Sequence, residues 1–107
     1  MTPLTVAELT EWTPAVPKTD EQNAQVVVDA VNGFLGRLGL VPAEGQDDTD
    51  PSPDETKLGA LMLAARTYRR RNSPNGIETV SGETVAYVAR YDPEISRYLR
   101  LSVPRVG

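Results

Sequence analysis

The 107-residue sequence has no cysteine and no histidine. The first absence excludes disulfides, thiolate metal sites and cysteine nucleophiles. The second removes the commonest general base and the commonest metal ligand. There is no phosphate-cradling glycine loop and no serine-based motif either, so no catalytic set can be named. The expectation is a non-enzyme without a cofactor. Long apolar runs are missing as well. The most apolar window, Leu58 to Ala65, is far too short to cross a bilayer. Met1 to Leu9 carry no basic run followed by an apolar stretch, so a soluble, intracellular chain without a secretory signal is expected.

What is present fits one small domain. A chain of this length buries roughly two thirds of the surface it exposes when unfolded, which supports a core with little surplus stability. The hydrophobic share is 39% and the charged share 24%, both ordinary for a globular protein. The charge is unevenly spread. Up to Ala65 there are eleven acids against three bases, and from Arg66 onward eight bases against four acids. Such a chain suits head-to-tail contact between copies, negative part to positive part. Alternatively, the halves neutralise each other within one monomer.

Helix signals dominate the chain. Thr5 and Glu8 form a T-x-x-E capping box, with Leu4 and Leu9 placed as a hydrophobic staple. Trp12 is expected in the core, and Pro14 and Pro17 end this element. A second helix is predicted from about Asp20 to Leu38, with Thr19 and Gln22 as a capping box. Ala24, Val28, Val31, Leu35 and Leu38 make its apolar stripe, and Val27 and Phe34 widen it. Gly39 is the stop. Val41 to Pro53 lacks apolar periodicity, carries Glu44, Asp47, Asp48 and Asp50, and reads as an exposed, mobile loop.

The third helix starts at Ser52, with Pro53 at its first position and Glu55 completing S-x-x-E, and continues to about Arg71. Leu58, Leu61, Met62, Ala65 and Tyr68 form its main face, while Ala60, Leu63 and Ala64 extend the apolar surface most of the way round. Such a helix is either central to its domain or sandwiched between subunits, and a share of that surface is expected to await a neighbouring copy. Ile77 to Arg90 has strand character from Val80, Val85, Tyr87 and Val88, with Ser81-Gly82 as a turn between two arms. A last helix begins at Asp92 with Pro93 at its first position and runs to about Arg100, followed by an extended tail over 102–107. The fold class expected is therefore mainly α: a single domain over 1–107, a small helical bundle with one β-hairpin or extended loop over 72–91, and a C-terminal helix plus tail.

Three groups of residues are candidates for function. Arg66, Arg69, Arg70 and Arg71 suit contacts to a second subunit, DNA phosphates, or only the negative end of their own helix. The acidic loop lacks the glycine and ligand pattern of an EF-hand, so no metal site is expected. Tyr98, on a short terminal helix, is an interface candidate.

The stretch Leu58-Gly59-Ala60-Leu61-Met62-Leu63-Ala64-Ala65-Arg66, followed by Tyr68-Arg69-Arg70-Arg71-Asn72-Ser73-Pro74-Asn75-Gly76, resembles the central helix and its exit in head–tail connector (adaptor) proteins of tailed bacteriophages. Tyr87-Val88 with Arg90, then Asp92-Pro93-Glu94-Ile95 and Leu99, and the ending Pro104-Arg105-Val106-Gly107, are similar to the continuation in the same proteins. The likeness runs from about Leu4 to the end, strongest over 58–75 and only architectural before that.

The resemblance implies a structural subunit that forms a homo-oligomeric ring under the portal protein and carries a stopper or tail-completion protein. DNA would pass through the lumen without sequence-specific binding. The place implied is the virion's head–tail interface, with the host cytoplasm as the site of assembly and no membrane involved. The candidate subunit or portal interface is then Arg66, Arg69, Arg70, Arg71, Tyr87, Ile95, Tyr98, Leu99 and Arg105. The alternative is a small helical DNA-binding regulator. It is disfavoured because a third helix carrying Leu61, Met62, Leu63 and Ala64 offers few polar groups to base edges.

Overall fold

The computed structural model describes residues 1–13, 21–42, 45–50, 52–71 and 82–101, with the side chains of residues 70, 71 and 82–84 excepted. Among these residues the chain forms five helices and no strand.

Helix α1 (Val6–Trp12) starts as its sequence dictates. The Glu8 amide donates to Thr5 Oγ1 at 3.2 Å and the Thr5 amide donates to Glu8 Oε1 at 3.1 Å, so two of the orphan donors of the first turn are satisfied reciprocally. Leu4 and Leu9 are both buried. Trp12 is not a core residue. It is 45% exposed, because the one-sided face of so short a helix is filled by Leu9 and Val6. The stop expected at Pro14 and Pro17 lies outside the described residues, as do Thr19 and Asp20.

Helix α2 (Glu21–Arg37) buries Ala24, Val27, Val28, Val31, Phe34 and Leu35, the predicted stripe. Leu38 falls just past the helix and is exposed. The stop has a specific geometry. Gly39 has φ 77°, its amide donates to the Gly36 carbonyl, and the Leu40 amide donates to the Leu35 carbonyl at 3.0 Å. These two bonds satisfy carbonyls that the helix end leaves open, and they need a residue that tolerates positive φ.

Helix α3 (Pro53–Arg71) is the central element. It packs on α1 and α2 and on two further helices, α4 (Gly82–Tyr91) and α5 (Pro93–Tyr98). Ala60, Leu63, Ala64, Ala65 and Tyr68 are buried, and Leu58, Leu61 and Met62 are partly covered. The expectation of spare apolar surface on this helix is thus corrected. None of its apolar side chains is among the exposed large hydrophobics, because helices of the same chain surround it. Its start differs too. The Ser52 amide donates to Asp50 Oδ1 at 3.0 Å and not to Glu55.

The hairpin is the second correction. Residues 82–91 are helical, and the first arm expected at 77–80 lies outside the described residues, as does the tail over 102–107. Val85, Val88 and Tyr87 favour strands only weakly, since strand preference measures packing context. The same residues read at a helical period place Val85 and Ala89 on one face, and both are completely buried. The α4–α5 corner is tight. Asp92 Oδ1 accepts from the Glu94 amide at 2.9 Å and the Ile95 amide at 3.2 Å, and Pro93 follows the cap. Buried Ser96 donates its hydroxyl to the Ala89 carbonyl at 2.7 Å, satisfying a carbonyl in the last turn of α4.

Candidate functional site

Side chains of α3 and α4 that the core does not use line an open groove of about 330 Å³, formed by Arg66, Arg69, Tyr87, Val88, Tyr91 and Asp92. Tyr87 and Tyr91 lie one helical turn apart, so their rings share a face. They stack at a centroid distance of 4.4 Å with 30° between planes. They are 48% and 74% exposed, the two largest exposures of any large apolar side chain described. Arg66 is fixed across the groove by an ion pair from Nε to Asp92 Oδ2 at 2.6 Å. Arg69 is exposed and makes no ion pair among the described residues. Guanidinium groups pair with carboxylates, and exposed aromatic rings beside them offer flat surfaces for apolar groups to pack on.

The structure brings Arg66, Arg69 and Tyr87 to one groove. It removes Ile95 and Leu99 from that role. Both sit in the core at 0% and 2% exposure, because the capped α5 turns its apolar face onto α3. Tyr98 is half-buried, with the Arg97 guanidinium 5.5 Å from its ring centroid. The side chains of Arg70 and Arg71, and all of Arg105, lie outside the described residues. Tyr91, Val88 and Asp92 were missed by the sequence reading. The signal was the i, i+4 spacing of Tyr87 and Tyr91, hidden by the assignment of a strand.

A second polar cluster closes the other end of α3. The Asp50 side chain is wholly buried. Its Oδ1 accepts from Arg100 Nη2 at 2.6 Å and its Oδ2 faces the Met1 amino group at 3.4 Å. Burial alone would raise this carboxyl, but the Thr56 hydroxyl, the Ser52 amide, the Met1 amino group and Arg100 bring it down to about 2. Arg100 also donates to Thr56 Oγ1 at 3.0 Å. The Met1 amino group donates to the Leu40 carbonyl at 2.6 Å and to Asp48 Oδ1 at 3.0 Å. Asp48 is held below the usual carboxylate range, first by the Asp50 amide and then by that amino group. The loop expected to be free is therefore tied down at Asp48 and Asp50. Lys57 pairs with Glu8 at 2.5 Å and lowers its pKa.

The exposed side chains at the two ends of α3 differ in sign: Asp54 and Glu55 at its start, and Arg66 and Arg69 toward its far end. The helical rise puts Asp54 and Arg69 roughly 22 Å apart. Part of the charge is neutralised internally, through Arg66–Asp92 and Arg100–Asp50. Among the described residues no cluster of three or more acids could hold a metal ion, and no helix is long and apolar enough to cross a membrane. No protein-family model, no curated protein and no solved structure matches this chain.

Proposed function

We propose that this chain is a structural subunit that assembles head to tail into a ring, as tailed-phage head–tail connectors do, with a portal protein above it and a stopper or tail-completion protein below. The observation that carries this reading is the pairing of an exposed Arg–Tyr groove at one end of α3 with exposed acids at the other. A ring needs two different patches that meet with a closing rotation, and the chain has two such patches of opposite sign. The similarity of residues 58–75 and 87–99 to connector proteins supplies the biological setting. Apolar surplus on α3 no longer supports the reading, since that helix is enclosed by its own chain. The surplus sits on α4.

A DNA-binding regulator that reads bases with α3 fits less well, because the middle of that helix is packed against other helices of the chain and its exposed start carries acids. The net charge of −4 also opposes duplex binding as the main task. A ring lumen of this composition lets DNA slide without holding it.

Native mass spectrometry of the chain alone, and mixed with a cognate portal protein, tests the proposal. Closed oligomers of one size are expected, at least in the mixture. A chain that stays monomeric in both removes the ring reading.

A further inference from the structure

We propose that the groove formed by Arg66, Arg69, Tyr87 and Tyr91 receives the acidic start of α3, with exposed Pro53, Asp54 and Glu55, of a second copy of this chain. The proposal rests on the ring reading above and names the contact that would build it.

Three observations converge. First, the cations and the acids cannot satisfy each other within one chain, because a stiff helix holds them roughly 22 Å apart. Asp54 and Glu55 make no ion pair among the described residues, and neither does Arg69. Second, the groove carries more than charge. The Tyr91 ring, stacked on Tyr87, is 74% exposed to solvent, and Pro53 is an exposed, rigid apolar ring directly before the two acids. A proline ring on an aromatic face next to an Arg–carboxylate pair is an economical anchor, because none of these rings loses much freedom on docking. Third, Asp92 holds the Arg66 guanidinium while capping α5, so a docking carboxylate meets a guanidinium already in place.

Single-stranded nucleic acid is the competing occupant for stacked tyrosines beside arginines. It is disfavoured by the negative sum of the chain and by the Asp92 carboxylate in the groove lining, which oppose phosphates.

The test uses charge reversal in the full chain. Arg69→Glu, and separately the double change Asp54→Arg with Glu55→Arg, are expected to abolish wild-type assemblies in native mass spectra. The two proteins mixed should give assemblies in which they alternate, and the three changes combined in one chain should restore the assembly. Tyr91→Ala, at a highly exposed position, should weaken assembly about tenfold. Circular dichroism of each variant confirms folding. Wild-type assemblies that persist in every variant overturn this contact and leave the ring reading standing. A wild-type chain that forms no ring, yet shows concentration-dependent NMR shifts confined to this groove and to Asp54 and Glu55, upholds the contact while the ring reading falls. Absence of both overturns both. Groove shifts produced by oligothymidylate, with no self-contact at any concentration, overturn the proposal in favour of nucleic acid.

Discussion

A Cβ placed on Gly59 would stand 2.8 Å from the Cβ of Tyr98 and 3.1 Å from a methyl of Leu99. Gly59 is the point at which α5 presses onto the central helix, and the backbones come this close because one side chain is missing. A glycine within a helix costs roughly 1 kcal/mol relative to alanine, and here the close approach offsets that cost. Gly59→Ala should therefore destabilise the chain by about 1–3 kcal/mol, since the contact lies on a backbone-attached carbon that cannot swing aside. Gly33→Ala and Gly36→Ala, with nothing within 4 Å of the added carbon, should stabilise it by about 0.5–1 kcal/mol. Urea unfolding monitored by circular dichroism measures all three. Equal effects at the three sites would contradict the packing described.

The Asp50 cluster predicts an acid-sensitive fold. Its carboxyl is held at about 2 in the folded chain, below the ordinary 3.8 of the unfolded chain. A group depressed on folding contributes stability above its unfolded pKa and loses it as pH falls through the folded one. The loss should run from about pH 4 down toward about pH 2. In Asp50→Asn this part of the pH dependence should vanish, and stability near neutral pH should drop by about 1–2 kcal/mol, a partly exposed Arg100 losing its partner. Thermal unfolding across pH for both proteins gives the comparison.

Arg100 has φ 54°, an uncommon conformation for a side-chain-bearing residue. It is imposed by the end of α5, where the Leu101 amide donates to the Ser96 carbonyl at 2.9 Å and the Arg100 amide to the Arg97 carbonyl. Arg100→Gly relieves the backbone by about 1 kcal/mol but removes the ion pair to Asp50. Arg100→Ala removes the ion pair without relief. The alanine variant should therefore be the less stable by about 1 kcal/mol, read from urea midpoints.

Asn32 ties the chain's first residues to α2. Its Oδ1 accepts from the Leu4 amide at 2.8 Å and its Nδ2 donates to the Leu4 carbonyl at 2.9 Å, imitating a strand pairing with one side chain. Asn32→Ala leaves both backbone groups unpaired and should cost about 1–3 kcal/mol. Amide exchange should accelerate first at Leu4 to Leu9, with α3 and α5 unaffected.

Much of this architecture was legible in the residues. The Thr5–Glu8 box, the stripe from Ala24 to Leu35, the Gly39 stop and the Asp92–Pro93 start are local chemistry, and each acts within four residues of itself. The failures were non-local. Val85, Tyr87 and Val88 looked like a strand because β-branched and aromatic residues serve both elements, and only burial of Val85 and Ala89 against other helices decides between them. The apolar excess of α3 gave no sign of whether partners would come from the same chain or from another copy. Asp50 and Arg100 stand fifty residues apart in the sequence and nothing in the spacing pairs them. Of the site, Arg66, Arg69 and Tyr87 were found from charge and resemblance, whereas Tyr91 needed the helix to be known.

Copies of this chain are proposed to join through opposite ends of α3. Sedimentation velocity of wild type against Arg69→Glu, over one concentration series with and without a portal protein, addresses this most directly. Wild type should form a larger species that the variant cannot form. Superimposable profiles for the two proteins would contradict it.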